Sequence, residues 1–316
     1  MTPEETAFAV SLGQPTGFTE ERRHLSVFRI LIALLVIAAL TGLWLGIQGG
    51  SARRVAAAPE SSFAPYVDVT ATPQYAFENP AGSSSNGPVL SFVVSSTTNA
   101  CDPSWGGAYS LTSAADALDL DRRIARLGQL GGKATISFGG AANSELSIGC
   151  TDPVKLTAAY RSVIDRYSAG VLDLDIEGSV ASSAAVSARR AIAIAALVRA
   201  EATAGHDVGV WLTLAVGPAG LTAEGLGVLT AMLSAHVPLA GVNAMTMNYG
   251  EPLPTGTSMA DRGEAALAAL QHQVRSAYAA VGTDLSDAQT WQQIGATAMI
   301  GQNDTRDEEF GLSDAR

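Results

Sequence analysis

Positive charge is scarce in this sequence. Nineteen Lys and Arg stand against 30 Asp and Glu in 316 residues, for a formal net charge of -11. A DNA or RNA partner needs clustered cations, so this balance argues against nucleic-acid binding. Histidine is rare as well: His24, His206, His236 and His272 fall on the N-terminal tail or in helix-like segments and read as surface residues. No Ser/His/Asp arrangement and no phosphate-binding glycine loop is present. Cysteine occurs only as Cys101 and Cys150.

Against these shortages stands one long apolar run. Ile30 to Ile47 carries no charge over a length that spans a bilayer core, and Trp44 near its end suits an interfacial ring. The expected organisation is a polar cytoplasmic tail (1–27), a single transmembrane helix (28–47), a Gly/Ala/Pro linker (48–63) and one globular α/β domain (64–316). A cleaved signal peptide ending near Ala56-Ala57-Ala58, and hence a secreted product, is the alternative. The long acidic leader and the length of the run oppose it. Arg22, Arg23 and Arg29 precede the run and Arg53 and Arg54 follow it, so charge hardly decides orientation.

The globular part is organised around Gly170-Val171-Leu172-Asp173-Leu174-Asp175-Ile176-Glu177-Gly178. Side chains alternate across a strand, so Asp173, Asp175 and Glu177 share one face, with Cα atoms roughly 6.5 to 7 Å apart. Like charges on an apolar strand raise one another's pKa values, and a carboxyl kept protonated near neutrality can act as a general acid. The other readings are a solvated strand face, opposed by the apolar residues in between, and an oxygen-ligand site for Mg²⁺ or Ca²⁺.

The acidic strand resembles the D-x-x-D-x-D-x-E motif of glycoside hydrolase family 18, the chitinases and chitinase-like proteins. Asp173, Asp175 and Glu177 fill its last three acidic places, and Gly170 stands at the first. Ser137-Phe138-Gly139-Gly140 is similar to the family's S-x-G-G turn on the preceding strand, one helix-length away as a βαβ unit requires. The resemblance implies a TIM (β/α)8 barrel. It implies Glu177 as the catalytic acid, Asp175 as the residue that orients the substrate's N-acetyl group, and Asp173 as its proton-sharing neighbour. Loss of the first Asp at Gly170 is expected to disturb that proton sharing.

Strand and helix patterns alternate from residue 64 onward. Strands are expected at 65–71, 89–95, 133–138, 170–178, 207–216, 241–250 and 295–300, and helices at 112–128, 152–167, 184–204, 221–236 and 258–281. Residues 312–316 read as the start of a further helix, so an eighth strand is expected to be missing. The family's sixth strand reads M-x-Y-D; here Met245-Thr246-Met247-Asn248-Tyr249 puts Met247 and Asn248 at the Tyr and Asp places, with Tyr249 one place later. Expected substrate contacts are Ser137, Gly139, Gly140, Met245, Met247, Asn248, Tyr249 and Gln302, with Trp105 either stacking on a sugar or packing in the core. Cys101 and Cys150 follow the second and third strands at one rim, as a disulfide in an oxidising, external compartment or as two free thiols.

The implied activity is hydrolysis of β-1,4-linked N-acetylglucosamine polymers, with no metal or organic cofactor, by a domain held outside the cell on one membrane helix. The departures at Gly170, Met247 and Asn248 and the missing strand count toward the alternative, a non-catalytic sugar-binding protein of the same fold at the cell surface; the intact Asp175/Glu177 pair opposes it, since a binding protein has no need of the acid.

Overall fold

The structure, a computed structural model, describes residues 31, 32, 35, 36, 63–79, 87–178, 181 and 183–315. The chain divides into two compact units, Met1–Ala52 and Arg53–Arg316. The expected membrane segment lies outside the described residues apart from Leu31, Ile32, Leu35 and Val36, which are helical and exposed. The expected tail lies outside them altogether, as does the linker up to residue 62. Among the described residues no helix is long and apolar enough to cross a membrane.

The second unit is built on seven parallel strands: β1 (Tyr66–Asp68), β2 (Val89–Ser95), β3 (Thr135–Gly139), β4 (Val171–Ile176), β5 (Gly209–Gly217), β6 (Leu239–Met245) and β7 (Ile294–Thr297). Each pairs with the next in chain order. From β2 onward helices return the chain from the end of one strand to the start of the next, which gives a TIM-like α/β arrangement. After β2 come α1 (Leu111–Ala117) and α2 (Leu120–Gln129); after β3, α3 (Leu146–Gly149) and α4 (Pro153–Tyr167). After β4 comes α5 (Ala184–Thr203), after β5, α6 (Ala223–Ser234), and between β6 and β7, α7 (Met259–Ala280) and α8 (Asp287–Trp291). Among the described residues β1 pairs along the parallel series only with β2, and β7 only with β6, so no strand joins the two ends.

Local chemistry sets the helix limits. Asp152 caps α4 through its Oδ1, which accepts from Val154 N at 2.8 Å, and Pro153 occupies the first turn, where its missing N–H costs nothing. Ser258 and Asp261 form a reciprocal capping box at α7. The single helix expected over 112–128 is instead two, because Asp119 takes a left-handed conformation (φ 53°) between α1 and α2. Leu312 to Asp314 form turns rather than a helix, after a short antiparallel pair, Gly301–Gln302 with Glu309–Phe310.

Strand alternation divides the side chains. Leu172, Leu174 and Ile176 of β4 are buried on the helix side with Leu156, Tyr160 and Val163 of α4. Asp173 and Asp175 lie on the opposite, interior face, in register with Ser137 and Gly139 of β3 and Trp211 and Thr213 of β5. Deeper on that face Trp211 needs room, since a Cβ at Gly295 would lie 3.1 Å from its ring and one at Gly241 closer still.

Cys101 and Cys150 are joined in a disulfide with Cα atoms 4.7 Å apart, tying the loop after β2 to the end of α3. It closes a loop with a sequence separation of 49, for which chain entropy predicts about 4 kcal/mol of stabilisation. Cys101→Ser is expected to lower the thermal midpoint clearly, and calorimetry under oxidising and reducing conditions checks this: only the wild type should respond to reductant.

Candidate active site

Asp173 is almost fully buried, and three hydroxyls surround it. Ser137 Oγ donates to its Oδ2 at 2.6 Å, Thr213 Oγ1 to its Oδ1 at 2.6 Å, and Tyr66 OH to its Oδ2 at 3.0 Å. Burial pushes the Asp173 carboxyl up, and the three donors pull it back in part. Each hydroxyl comes from a different strand, so the site exists only because β1, β3, β4 and β5 converge.

Asp175, one layer nearer the strand ends, has no such shell. Its Oδ1 is buried with no hydrogen-bond partner among the described residues, and its carboxyl interacts with that of Glu177. Burial, then the charges of Asp173 and Glu177, push its carboxyl up to about 9. Glu177 follows the end of β4, is half-buried, and is also raised, by burial. The pair therefore holds a proton near neutral pH and presents it where the strands end, the face on which parallel αβ folds carry their chemistry.

The turn after β3 allows this approach. Gly139 (φ 107°) and Gly140 (φ 82°) take conformations that favour glycine; a Cβ at Gly139 would collide with the Asp175 carbonyl oxygen, and one at Gly140 would lie 2.8 Å from the Phe92 ring. Behind the turn, buried Glu145 accepts from Ser147, from Tyr160 OH at 2.7 Å and from Arg190 Nη2 at 3.1 Å. Burial pushes Glu145 up, but Arg190 and these donors outweigh it and hold the carboxyl below its ordinary range. Arg190 is itself fully buried. Breaking this pair with Arg190→Leu leaves a buried, unpaired carboxylate and should cost about 3 to 5 kcal/mol in urea unfolding, whereas Arg189→Leu, a half-exposed neighbour, should cost far less.

The comparisons with known proteins concern this same domain. No protein-family model matches the chain. It is 35% identical over 265 residues to the "Probable bifunctional chitinase/lysozyme" of Escherichia coli, covering 82% of this chain and 29% of that protein. It is 33% identical over 265 residues to Endochitinase 11 of Metarhizium anisopliae, covering 82% and 49% of the two chains. The chain thus spans less than half the length of either relative. The catalytic domain of a hyperthermophilic chitinase from Pyrococcus furiosus superposes with a TM-score of 0.67 at 28% identity, over 81% of this chain and 78% of that one. A family GH18 chitinase from Chromobacterium violaceum shares the fold, with a TM-score of 0.54 at 16% identity over 80% of this chain and 69% of that one. In sequence and in fold the chain is chitinase-like.

The site gathers some of the residues expected from sequence and sets others aside. Asp173, Asp175 and Glu177 form one row, and Met245 lies on the interior face of β6, in register with Ala215 and Thr297. Ser137 is fully buried and spends its hydroxyl on Asp173, while Gly139 and Gly140 serve the close approach of β3 to β4, so these three support the site rather than line it. Trp105 is fully buried, donates from Nε1 to Tyr167 OH at 2.9 Å and packs edge-on against that ring: it is a core residue. Gly170 precedes β4, roughly 10 Å of strand from Asp173 and, by strand alternation, off the face that the three acids share. It lines a depression of about 530 Å³ with Lys133 and Arg166, and a Cβ there would meet nothing within 4 Å, so the position stands apart from the proton sharing.

Beyond β6, Met247 is half-buried and Asn248 turns outward. Asn248 donates to Asp304 Oδ2 at 3.0 Å and accepts from Thr305 N at 3.2 Å, fastening the loop after β7. Gln302 is likewise spent on the carbonyls of Asn303, Thr305 and Glu308. Tyr249 keeps a buried hydroxyl with no partner among the described residues; burial pushes it up to about 12, with Arg262 lowering and Glu308 raising it. Its main chain is held by buried Glu308, whose carboxylate accepts from Tyr249 N at 3.0 Å and Gly250 N at 3.1 Å.

Asp175 makes stability depend on pH. Its folded value lies above the ordinary 3.8, so the favourable contribution is complete below that pH and is lost as pH rises toward about 9. Asp175→Asn cannot ionise, so its stability should fall less than that of the wild type between pH 4 and pH 9; thermal melts across that range check it.

Proposed function

We propose that this chain is a glycosidase of the chitinase type, cleaving β-1,4-linked N-acetylglucosamine chains with retention through substrate assistance. The observation that carries the reading is Asp175: beside Glu177, its Oδ1 is buried with no hydrogen-bond partner among the described residues, ready for an incoming donor. The chitinase relatives support the substrate class. Most retaining glycosidases use a second carboxylate as nucleophile across the scissile bond, and a single row of acids on one strand suits the substrate-assisted exception instead.

In the proposed reaction Glu177 gives its proton to the glycosidic oxygen as the bond from that oxygen to the anomeric carbon breaks. Asp175 turns to accept the acetamido N–H of the sugar and aims the acetyl oxygen at the anomeric carbon, where the new bond forms. Glu177, now ionised, takes a proton from the water that opens the resulting oxazolinium ring and is restored to its acid form. Asp173, one layer deeper, opposes ionisation of Asp175 by its charge and so favours a proton on the Asp175–Glu177 pair. Asn248 carries no charge for the intermediate, and Tyr249, one place later, keeps a buried hydroxyl with no partner among the described residues.

In the same reading the domain lies outside the cell, held by the segment 28–47, with its apolar run Ile30 to Ile47, as a single membrane span. The disulfide and the length of that run support this location.

The test is release of chromophore from a chromogenic chito-oligosaccharide by the full chain beside Glu177→Gln. Wild-type turnover reduced about 10² to 10⁴-fold in the variant, with sugar binding retained, is the expected result. Sugar binding without cleavage by the wild type would replace the enzyme with a surface sugar-binding protein.

A further inference from the structure

The hydroxyl shell of Asp173 extends one residue further, to a group outside the acidic motif. Asn243 of β6 donates from Nδ2 to Thr213 Oγ1 at 3.1 Å and to Thr297 Oγ1 of β7 at 2.6 Å. Both amide hydrogens are thereby committed, one to each neighbouring strand.

This fixes the direction of a hydrogen bond. Thr213 carries one hydroxyl hydrogen and has three polar neighbours: Asp173 Oδ1, Asn243 Nδ2 and Tyr66 OH at 3.0 Å. Asn243 approaches as a donor, so Thr213 cannot give its hydrogen there. Tyr66 has its own hydrogen to give, and a bond to a carboxylate is the stronger use of it. The Thr213 hydrogen is left pointing at Asp173. With Ser137 and Tyr66 also donating, both oxygens of Asp173 face hydrogens, which is the environment of an ionised carboxylate.

We propose that Thr213 and Asn243 act as a positioning relay that keeps Asp173 ionised and confines the shared proton of the acidic row to Asp175 and Glu177. Neither residue reaches the end of the strands. Thr213 lies in register with Asp175, and Asn243 in register with Thr213.

Few other groups can interfere. The residues of β2, β3, β5, β6 and β7 include no titratable side chain. From β1 come Tyr66 and Asp68, the latter exposed and engaged by Thr70 N and Oγ1. From β4 and its end come Asp175 and Glu177. Tyr66 is held neutral by burial and by Asp173 itself, so the titration of Asp173 reports on its hydroxyl shell and its two carboxyl neighbours.

The consequence for turnover rests on the glycosidase reading; the consequence for Asp173 does not, and the experiment separates them. The full chain, labelled with ¹³C at the aspartate side-chain carboxyl carbon, is titrated by NMR as wild type, Thr213→Val, Thr213→Ser and Asn243→Leu, with Asp173→Asn assigning the resonance. The relay predicts an upward move of about one pH unit in the Asp173 midpoint for Thr213→Val, about half that for Asn243→Leu, and wild-type behaviour for Thr213→Ser, which keeps the hydroxyl. In an active enzyme the acid limb of kcat/KM moves with the same sign and order. An Asp173 midpoint that stays at the wild-type pH in both Thr213→Val and Asn243→Leu overturns the relay, whatever the chain hydrolyses. An Asp173 midpoint that moves as predicted in a chain that cleaves no chito-oligosaccharide upholds the relay and removes the glycosidase.

Discussion

Everything in this domain answers to the cost of burying a row of carboxyl groups on one strand. Each charge taken out of water must find donors, share a proton or stay near solvent. Asp173 takes the first course, with three hydroxyls around it. Asp175 takes the second, through Glu177, and Glu177, half-buried beyond the end of β4, keeps access to solvent. The gradient from deep and fully bonded to shallow and protonated gives identical chemical groups different tasks.

The surrounding fold is arranged around that gradient. Apolar β4 side chains face the helices, so the strand is anchored from outside and the acids are left inside. The Gly139-Gly140 turn brings β3 against the Asp175 main chain, where any side chain would force the strands apart. Behind it the buried Glu145–Arg190 pair fixes the same loop, and the disulfide ends it. On the far side, Glu308 and Asn248 tie the loops after β6 and β7 together, so residues that resemble substrate contacts in sequence work here as loop fasteners.

Much of this was legible in the chain. The apolar–acidic alternation of 171–177 identifies a strand with its acids on one face, because that periodicity has no other economical reading. Asp152-Pro153 marks a helix start through its own capping chemistry, and the observed α4 begins there. Thr213 and Asn243 also left a trace, as lone polar residues on the interior alternation of otherwise apolar strands. Only register could show that they meet. Trp105 was ambiguous because stacking and packing ask for the same side chain, and burial decided it.

By itself the sequence determined the order of the seven parallel strands and the longer helices between them, the shared face of Asp173, Asp175 and Glu177, and the glycines at the β3 turn, because these follow from local periodicity and backbone sterics. Tertiary structure alone decided which hydroxyls serve Asp173, that Gly170 stands apart from the acids, that Asn248 and Gln302 hold loops, and that Arg190 pairs with Glu145. The physical reason is distance along the chain: Tyr66 and Asp173 are separated by 107 residues and still meet at 3.0 Å, an encounter that only strand pairing and register can arrange.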